Sequence, residues 1–445
     1  MKKLLLATYF VATSGLFLAQ ETQSFSLEQA QAYALEHNYE KSNADNDLLI
    51  AKKKVWETTG IGLPQVKAEA KLQNFIDIPT SLVPANTFNP AAPADEYLAL
   101  KFGTDYNNSV GVTATQLLFD GSYLVGLRAS KVYKEFAEKN VAKTEIEVKE
   151  QVAQAYYLAL VAEENKRILE ESAKTTQDLL NQSTKIFEEG LMEEQNVDQL
   201  KLTLNDINSS LANASRQISI AKNLLKFQIG YDISSEIVLT DNIETLLAFK
   251  DKENALTNEF DFNNHIDYQI MKSNEQLMKL NWSKEKFSFT PSLVAFFNHT
   301  QQNMSNEFDM FSGGSWYPQT LWGLTLSVPI ILGSTRFAKT SQAKISYQMA
   351  QNNTRKVEQG LLLQAQQKQA DYTSALDIYN NQKEGLEIAG KINNQSIKKY
   401  NEGIISSMEL AQTQTQYLQT EGKYIKALLD LFNAKSELNK ALGTN

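Results

Sequence analysis

Residues 185–230 and 398–443 are two copies of one pattern, 213 positions apart and aligned without a gap. Glu189 aligns with Glu402, Gly190 with Gly403, Ala214 with Ala427, Lys222 with Lys435 and Gly230 with Gly443. In each copy a helical run ends at a glycine and a second helical run starts just beyond it. Glycine takes the left-handed conformation that closes a helix, so each copy reads as a helix–turn–helix reversal. Any fold for this chain has to accommodate the same reversal twice.

The helix after each turn is itself patterned. Leu200, Leu204, Ile207, Leu211, Ala214, Ile218, Ala221 and Leu225 alternate spacings of four and three. Thr413, Tyr417, Thr420, Tyr424, Ala427, Leu431, Ala434 and Leu438 keep the same beat. Sustained heptads mark knobs-into-holes packing against a neighbouring helix. Such a stripe by itself is structure; the duplication and what separates the copies carry the functional information.

Upstream of each reversal lies the same series of elements. Ser26 and Gln29 form a capping box for a helix over 27–60, which stops at Gly60, Gly62 and Pro64. Val66, Ala68, Ala70 and Leu72 then alternate with Lys67, Glu69, Lys71 and Gln73, a strand with one apolar and one polar face. An irregular stretch over 76–107 holds four of the eight prolines, Pro79, Pro84, Pro90 and Pro93. A second strand, 110–119, ends at Asp120-Gly121 and leads into a helix over 122–189. At 1.5 Å per residue this helix is roughly 100 Å long, beyond any globular core. No proline occurs between Pro93 and Pro291 to interrupt it. Val148, Val152, Ala155, Ala159 and Ala162 continue the four-three stepping within it.

A connector over 231–258, with one short strand at 236–240, precedes the second round. A helix over 261–289 leads to Pro291, strands begin at Leu293 and Trp322, and a second long helix covers 334–402. Residues 21–230 and 259–445 are therefore read as two structural repeats joined by the connector. The short helix 27–60 and return helix 193–229 have 34 and 37 residues against 68 in the long helix. Stacked end to end, the first two match the third in length.

Composition narrows the function. Of the 445 residues 21% are charged, with a net charge of −9, which argues against nucleic acid as a partner. Cysteine is absent, which removes thiol catalysis, disulfides, thiolate metal sites and a lipid anchor on Cys. Residues 1–20 read as a secretory signal: Lys2 and Lys3 precede an apolar run over 4–17, with cleavage placed after Ala19 or Gln20. No later window is apolar enough for a membrane helix. An exported chain of this kind spans a membrane only with strands. Four strands cannot close a barrel, and lipid does not tolerate an open strand edge. The strands must then come from several chains; eight make a filled barrel, whereas twelve or more leave an aqueous lumen. Trp316, Tyr317 and Trp322 suit a membrane–water belt.

The order of these elements resembles the outer-membrane efflux (TolC-like) proteins of diderm bacteria. The resemblance rests on Leu63-Pro64 and Thr290-Pro291 at the strand entries, and on the turns Leu117-Leu118-Phe119-Asp120-Gly121 and Pro329-Ile330-Ile331-Leu332-Gly333. It rests also on the tip Gly190-Leu191 and the closing Ala441-Leu442-Gly443. It implies an α+β membrane protein, with a long α-helical coiled-coil barrel plus a transmembrane β-barrel built from four strands per chain. It further implies a homotrimer in outer-membrane lipid, with a tunnel reaching the periplasm. A periplasmic adaptor and a proton-driven or ATP-driven inner-membrane transporter are the implied partners, and no chemistry is done by the chain.

The resemblance assigns sites as well. The tips, Gly190, Leu191, Met192, Gly403 and Ile404, are expected to dock the adaptor, because Leu191, Met192, Ile404 and Ile405 have no evident core to fill. The pore constriction maps to Glu409 and Gln412, where the family carries two acidic residues, and to Ile405, where it carries a basic one. Tyr400 keeps the aromatic partner, and the first repeat offers Gln195 and Asn196. One acidic ring remains and the charged lock is missing. Of the three histidines, His265 occupies the place of Asn38 in the other repeat and reads as a helix cap or surface residue and not as a ligand. No phosphate-binding loop, metalloprotease or serine-hydrolase motif is present, and no cofactor is expected. The competing reading is a periplasmic coiled-coil adaptor or stalk. Adaptors carry one helical hairpin, and this chain has two, each preceded by paired alternating strands.

Overall fold

A computed structural model describes residues 23–247, 261–308, 313–330 and 333–443. The expected leader, 1–20, lies outside them. The described residues divide into two compact units. One contains residues up to 46, 139–269 and 357 onward; the other contains 47–138 and 270–356. Each unit draws on both sequence repeats.

The second unit is built on a four-stranded antiparallel sheet in the order β2 (Gln65–Asn74), β5 (Tyr106–Asp120), β7 (Ser292–Ser305) and β8 (Trp316–Ser327). Each repeat thus supplies two adjacent strands. The register aligns Val66 with Ala114, Phe297 and Trp322, and Ala70 with Val110, Gln301 and Pro318. Directly opposed residues share a face, so Val66, Ala68, Ala70, Leu72, Val110, Val112, Leu324 and Leu326 lie on one side. The neighbouring row, Lys67 with Thr113, Asn298 and Leu321, and the row of Glu69 with Gly111, Thr300 and Gln319, lie on the other. The expected alternation holds in β2 and over 322–326 of β8, whereas in the central strands the same side also carries Asn108, Gln116, His299, Gln301 and Asn303. Trp316 and Trp322 share the apolar face while Tyr317, an odd number of residues away, takes the opposite one, which splits the expected aromatic belt. β2 and β8 are both edge strands, so edges of ten and twelve residues remain unpaired among the described residues.

The irregular stretch between the first two strands is more ordered than its prolines predict. It contains an antiparallel hairpin, β3 (Thr80–Pro84) with β4 (Tyr97–Lys101), and a 3-10 turn at Ala85–Thr87. Pro84 is tolerated because it ends its strand, where a missing N–H breaks no ladder.

The first unit is helical. α3 (Gly121–Glu188) and α7 (Gly333–Asn401) are the long helices, of 68 and 69 residues, and both contribute to each unit. α4 (Glu194–Ile229) and α8 (Ser407–Leu442) are the return helices, 36 residues each. The first helix does not run unbroken to Gly60: it divides at Asn38 into α1 (Leu27–His37) and α2 (Tyr39–Ile61). Asn38 is extended at ψ 136°. Its Oδ1 accepts from the amides of Glu40 and Lys41, and its Nδ2 donates to the carbonyl of Gln228 at 2.7 Å. An asparagine that bonds its own backbone competes with the helix, and here a tertiary partner makes the break permanent. The turn at Gly230 (φ 73°) closes against that junction: a Cβ on Gly230 would sit 2.3 Å from the His37 carbonyl oxygen. His265 holds the corresponding place before α6 (Ile266–Phe287), its Nδ1 accepting from the Asp267 amide at 3.2 Å. Of the two expected roles His265 takes the cap and not the surface one: it is buried, and burial lowers its pKa.

A two-stranded parallel ribbon, β1 (Gln23–Phe25) with β6 (Ile237–Leu239), ties the start of the described chain to the connector, followed by the short α5 (Ile243–Leu247). The core beneath the ribbon joins Phe25, Ala30 and Ala34 to Val148, Val152 and Tyr156 of α3 and to Leu428 and Phe432 of α8. Tyr157 stacks on Phe432 with centroids 4.5 Å apart, and Tyr156 donates to the Phe25 carbonyl at 3.0 Å. Burial raises the Tyr157 pKa to about 12. No helix among the described residues is long and apolar enough to cross a membrane.

Candidate functional site

The two reversals close in the same way. At the first, the Gly190 amide donates to Phe187 O at 2.8 Å and the Leu191 amide to Ile186 O at 3.0 Å. At the second, Gly403 donates to Tyr400 O at 2.9 Å and Ile404 to Lys399 O at 2.8 Å. Both glycines are left-handed, with φ of 78° and 73°. This pair of bonds is the Schellman closure, which leaves the next residue to turn the chain.

Past the glycines the apolar residues separate into two groups. Leu191 and Ile404 project into solvent, 77% and 63% exposed. Met192 and Ile405 do not: with Leu180 and Ile397 they pack on a small core of Leu179, Leu200, Tyr400 and Leu410. The expectation that all four lack a core is corrected for these two. Each sits one residue further along the turn, where the chain folds back over the helix ends. Gly190 and Gly403 are exposed at the turns, Gln195, Glu409 and Gln412 are exposed, and Asn196 is half-buried.

Neutral side-chain bonds join the two copies. The Tyr400 hydroxyl bonds Ser183 Oγ at 2.8 Å, linking α7 to α3. Ser407 Oγ donates to Asn196 Oδ1 at 2.6 Å, linking α8 to α4. Gln414 Nε2 donates to Thr176 Oγ1 at 3.3 Å. Tyr400 and Asn196 are among the expected constriction residues, whereas their partners Ser183 and Ser407 are not, because single serines on long helices carry no pattern. Ser406 caps α8 by accepting from the Glu409 amide at 3.2 Å. Glu409 therefore stands in the first turn, where a carboxylate also complements the helix dipole. Glu193, at the matching end of α4, makes no such side-chain cap.

A second buried face distinguishes α8 from α4. The expected stripe is present: Thr420, Ala427, Leu431 and Leu438 are buried, while Thr413, Tyr417, Tyr424 and Ala434 are half-buried. Ser407, Gln414, Glu421 and Leu428, each seven residues apart, are buried as well. Their counterparts in α4, Glu194, Lys201, Asn208 and Ser215, are exposed. The reason is that α8 is packed from three sides. Gln414 and Phe432 meet α3, Ser407 meets α4, and Lys368 of α7 pairs with Glu437 at 2.6 Å. Glu421 is 1% exposed with both carboxylate oxygens unpartnered. Burial, reinforced by Glu164 and opposed by Arg167, pushes its pKa up to about 7. Arg167 is committed elsewhere, to both oxygens of Glu164 at 2.8 and 2.7 Å. A cavity of about 120 Å³ nearby is lined by Thr176, Asn393, Gln414 and Tyr417. Among the described residues, no three His, Asp or Glu side chains come together to hold a metal.

A sheet whose edge strands have no second neighbour among the described residues, in a chain whose long helices exceed any globular core, fits a membrane-barrel subunit. Comparison with known families bears this out. The family described as "Outer membrane efflux protein" matches residues 92–231 and 284–444, more than half of the chain. The chain belongs to the outer membrane efflux protein family: it is an outer-membrane efflux channel of the TolC-like type and not an enzyme. The adaptor reading falls with that membership.

Solved structures agree on the fold. CusC superposes with a TM-score of 0.73 at 17% identity, covering 94% of this chain and 92% of that one. The open-state MtrE outer-membrane channel of Neisseria gonorrhoeae gives 0.72 at 16%, covering 94% and 88%. The outer-membrane protein VceC of Vibrio cholerae gives 0.69 at 15%, covering 94% and 96%. Identities this low speak for the fold alone. Comparison with curated protein sequences gives no match.

Proposed function

We propose that three copies of this chain close their sheets into a twelve-stranded outer-membrane barrel and form the exit duct of a tripartite efflux system. The observation that carries this is the sheet itself, four strands in which β2 and β8 have no second neighbour among the described residues and alternate apolar with polar side chains. Lipid accepts neither open edge, and closing edge on edge with two further copies removes both. The chain is exported by its signal segment, and the duct is passive. A periplasmic adaptor docks on the exposed Leu191 and Ile404 and connects the duct to a proton-driven or ATP-driven inner-membrane transporter. Heat-modifiable trimers in detergent-extracted outer membrane, conducting in planar bilayers, are the expected result. A soluble periplasmic monomer overturns the reading.

The faces of the sheet make a sharper test. Leu326 lies opposite Leu293 on the apolar side and is 64% exposed within the chain. Leu326→Arg should cost roughly 2–4 kcal/mol and deplete assembled trimer. Thr325→Arg, on the other face, should be mild. Equal effects would reverse the assignment.

Glu409 forms the acidic ring at the periplasmic mouth with exposed Gln412 and Gln195, while Tyr400, Ile405 and Asn196 brace the constriction from the packing between the helices. Its cap bond uses the backbone amide, so Glu409→Gln leaves α8 capped. In planar bilayers that variant should lower the cation-over-anion permeability ratio by about two- to fivefold and relieve block by divalent cations. An unchanged ratio removes Glu409 from the pore and leaves the channel intact.

A further inference from the structure

Charge in the sheet is concentrated on one strand, β2, and on one face of it. Lys67, Glu69 and Lys71 of β2 are all exposed and share the side opposite Val66, Ala68 and Ala70. The only other Asp, Glu, Lys or Arg in the four strands is Asp120, the last residue of β5. The residues beside the lysines are neutral: Lys67 faces Thr113 and then Asn298, and Lys71 faces Ser109 and then Gln302. Glu69 bridges the two, 2.9 Å from the Lys67 ammonium and 3.8 Å from that of Lys71. The cluster in β2 therefore carries one net positive charge per chain, and Asp120, which the register puts on the same face opposite Ser292, lies seven residues along β5 from Thr113, the partner of Lys67.

We infer that Lys67, Glu69 and Lys71 form a cationic ring in the barrel lumen that draws anionic solutes through the duct. The inference rests on the three-chain barrel proposed above. Twelve strands about 4.8 Å apart and tilted by about 40° enclose a radius of about 12 Å. Screening acts over about 8 Å, so three net charges on the wall reach most of the lumen. Glu69 has a definite part in this: by neutralising half of the positive charge it keeps the site weak enough for a solute to leave, as conduction requires. A different role for edge lysines is to keep an unpaired strand from aggregating before assembly. In that case the charges would matter for trimer yield and not for permeation.

Reversal potentials across a KCl gradient separate these possibilities, recorded on purified full-length trimers in a Glu409→Gln background. Lys67→Gln with Lys71→Gln should lower the chloride-over-potassium permeability ratio by about two- to fivefold, and Glu69→Gln should raise it by a similar factor. Shifts of opposite sign support the ring. If both variants conduct with an unchanged ratio, the ring is overturned and the channel reading stands. If the lysine variant fails to assemble, Glu69→Gln decides alone. Absence of conductance in the parent protein overturns the channel itself.

Discussion

Leu191→Asp combined with Ile404→Asp should abolish export while leaving a folded trimer. Both side chains lie on the solvent side of a Schellman turn, and neither belongs to the core formed by Leu179, Leu200, Tyr400 and Leu410. Replacing them removes no intrachain packing, so stability should change by no more than about 0.5 kcal/mol, the range of ordinary surface substitutions. An interface loses far more. Exposed apolar anchors at a docking surface are where binding energy concentrates, and a carboxylate there must be desolvated without a partner. The measurement is site-specific cross-linking to the adaptor together with cellular export. Normal export by the double variant would remove the tips from the docking surface. Met192→Asp and Ile405→Asp form the contrasting pair: both should destabilise the protein, because those side chains are packed.

Glu421 is expected to make stability fall as pH rises. Its carboxyl is buried without hydrogen-bond partners, and its pKa stands at about 7 against 4.5 for the unperturbed group. Between those values the folded chain holds a proton that the unfolded chain has released. The stabilisation is complete below about pH 4.5, declines above it, and is lost once pH passes about 7. The loss is on the order of 3 kcal/mol per chain. Glu421→Gln should flatten this slope, and Glu421→Met should also remove the unpartnered oxygens and stabilise the protein at pH 8. The charged groups that act on the carboxyl are Glu164 and Arg167 of α3, which are paired with each other. Thermal unfolding of the detergent-solubilised protein from pH 5 to 8 supplies the measurement. A slope in Glu421→Gln equal to that of the parent would place the titrating group elsewhere.

The elements were legible because their causes are local. The long helices follow from an unbroken four-three beat without proline, and α3 starts and stops within one residue of its expected bounds. The alternation in β2 and β8 told which residues of each strand share a side, and the observed register keeps Val66, Ala68, Ala70 and Leu72 with Leu324 and Leu326. The tip glycines were visible through duplication. Non-local partners decided other features. Asn38 breaks the first helix because Gln228, 190 residues away, accepts its side-chain bond. The hairpin of β3 and β4 depends on pairing between segments whose prolines read as coil.

The sequence by itself determined the two-fold plan, the four strands with their faces, the reversals at Gly190 and Gly403, and the family. Each rests on periodicity or on a backbone requirement that neighbouring residues express. Only the tertiary structure decided which tip residues project and which fold inward, separating Leu191 and Ile404 from Met192 and Ile405. It alone showed that α8 buries Ser407, Gln414 and Glu421 where α4 leaves the aligned positions in solvent. Two copies of one pattern have the same intrinsic preferences. Their burial differs because α8 has α3, α4 and α7 around it, and what surrounds a helix is a property of the whole fold.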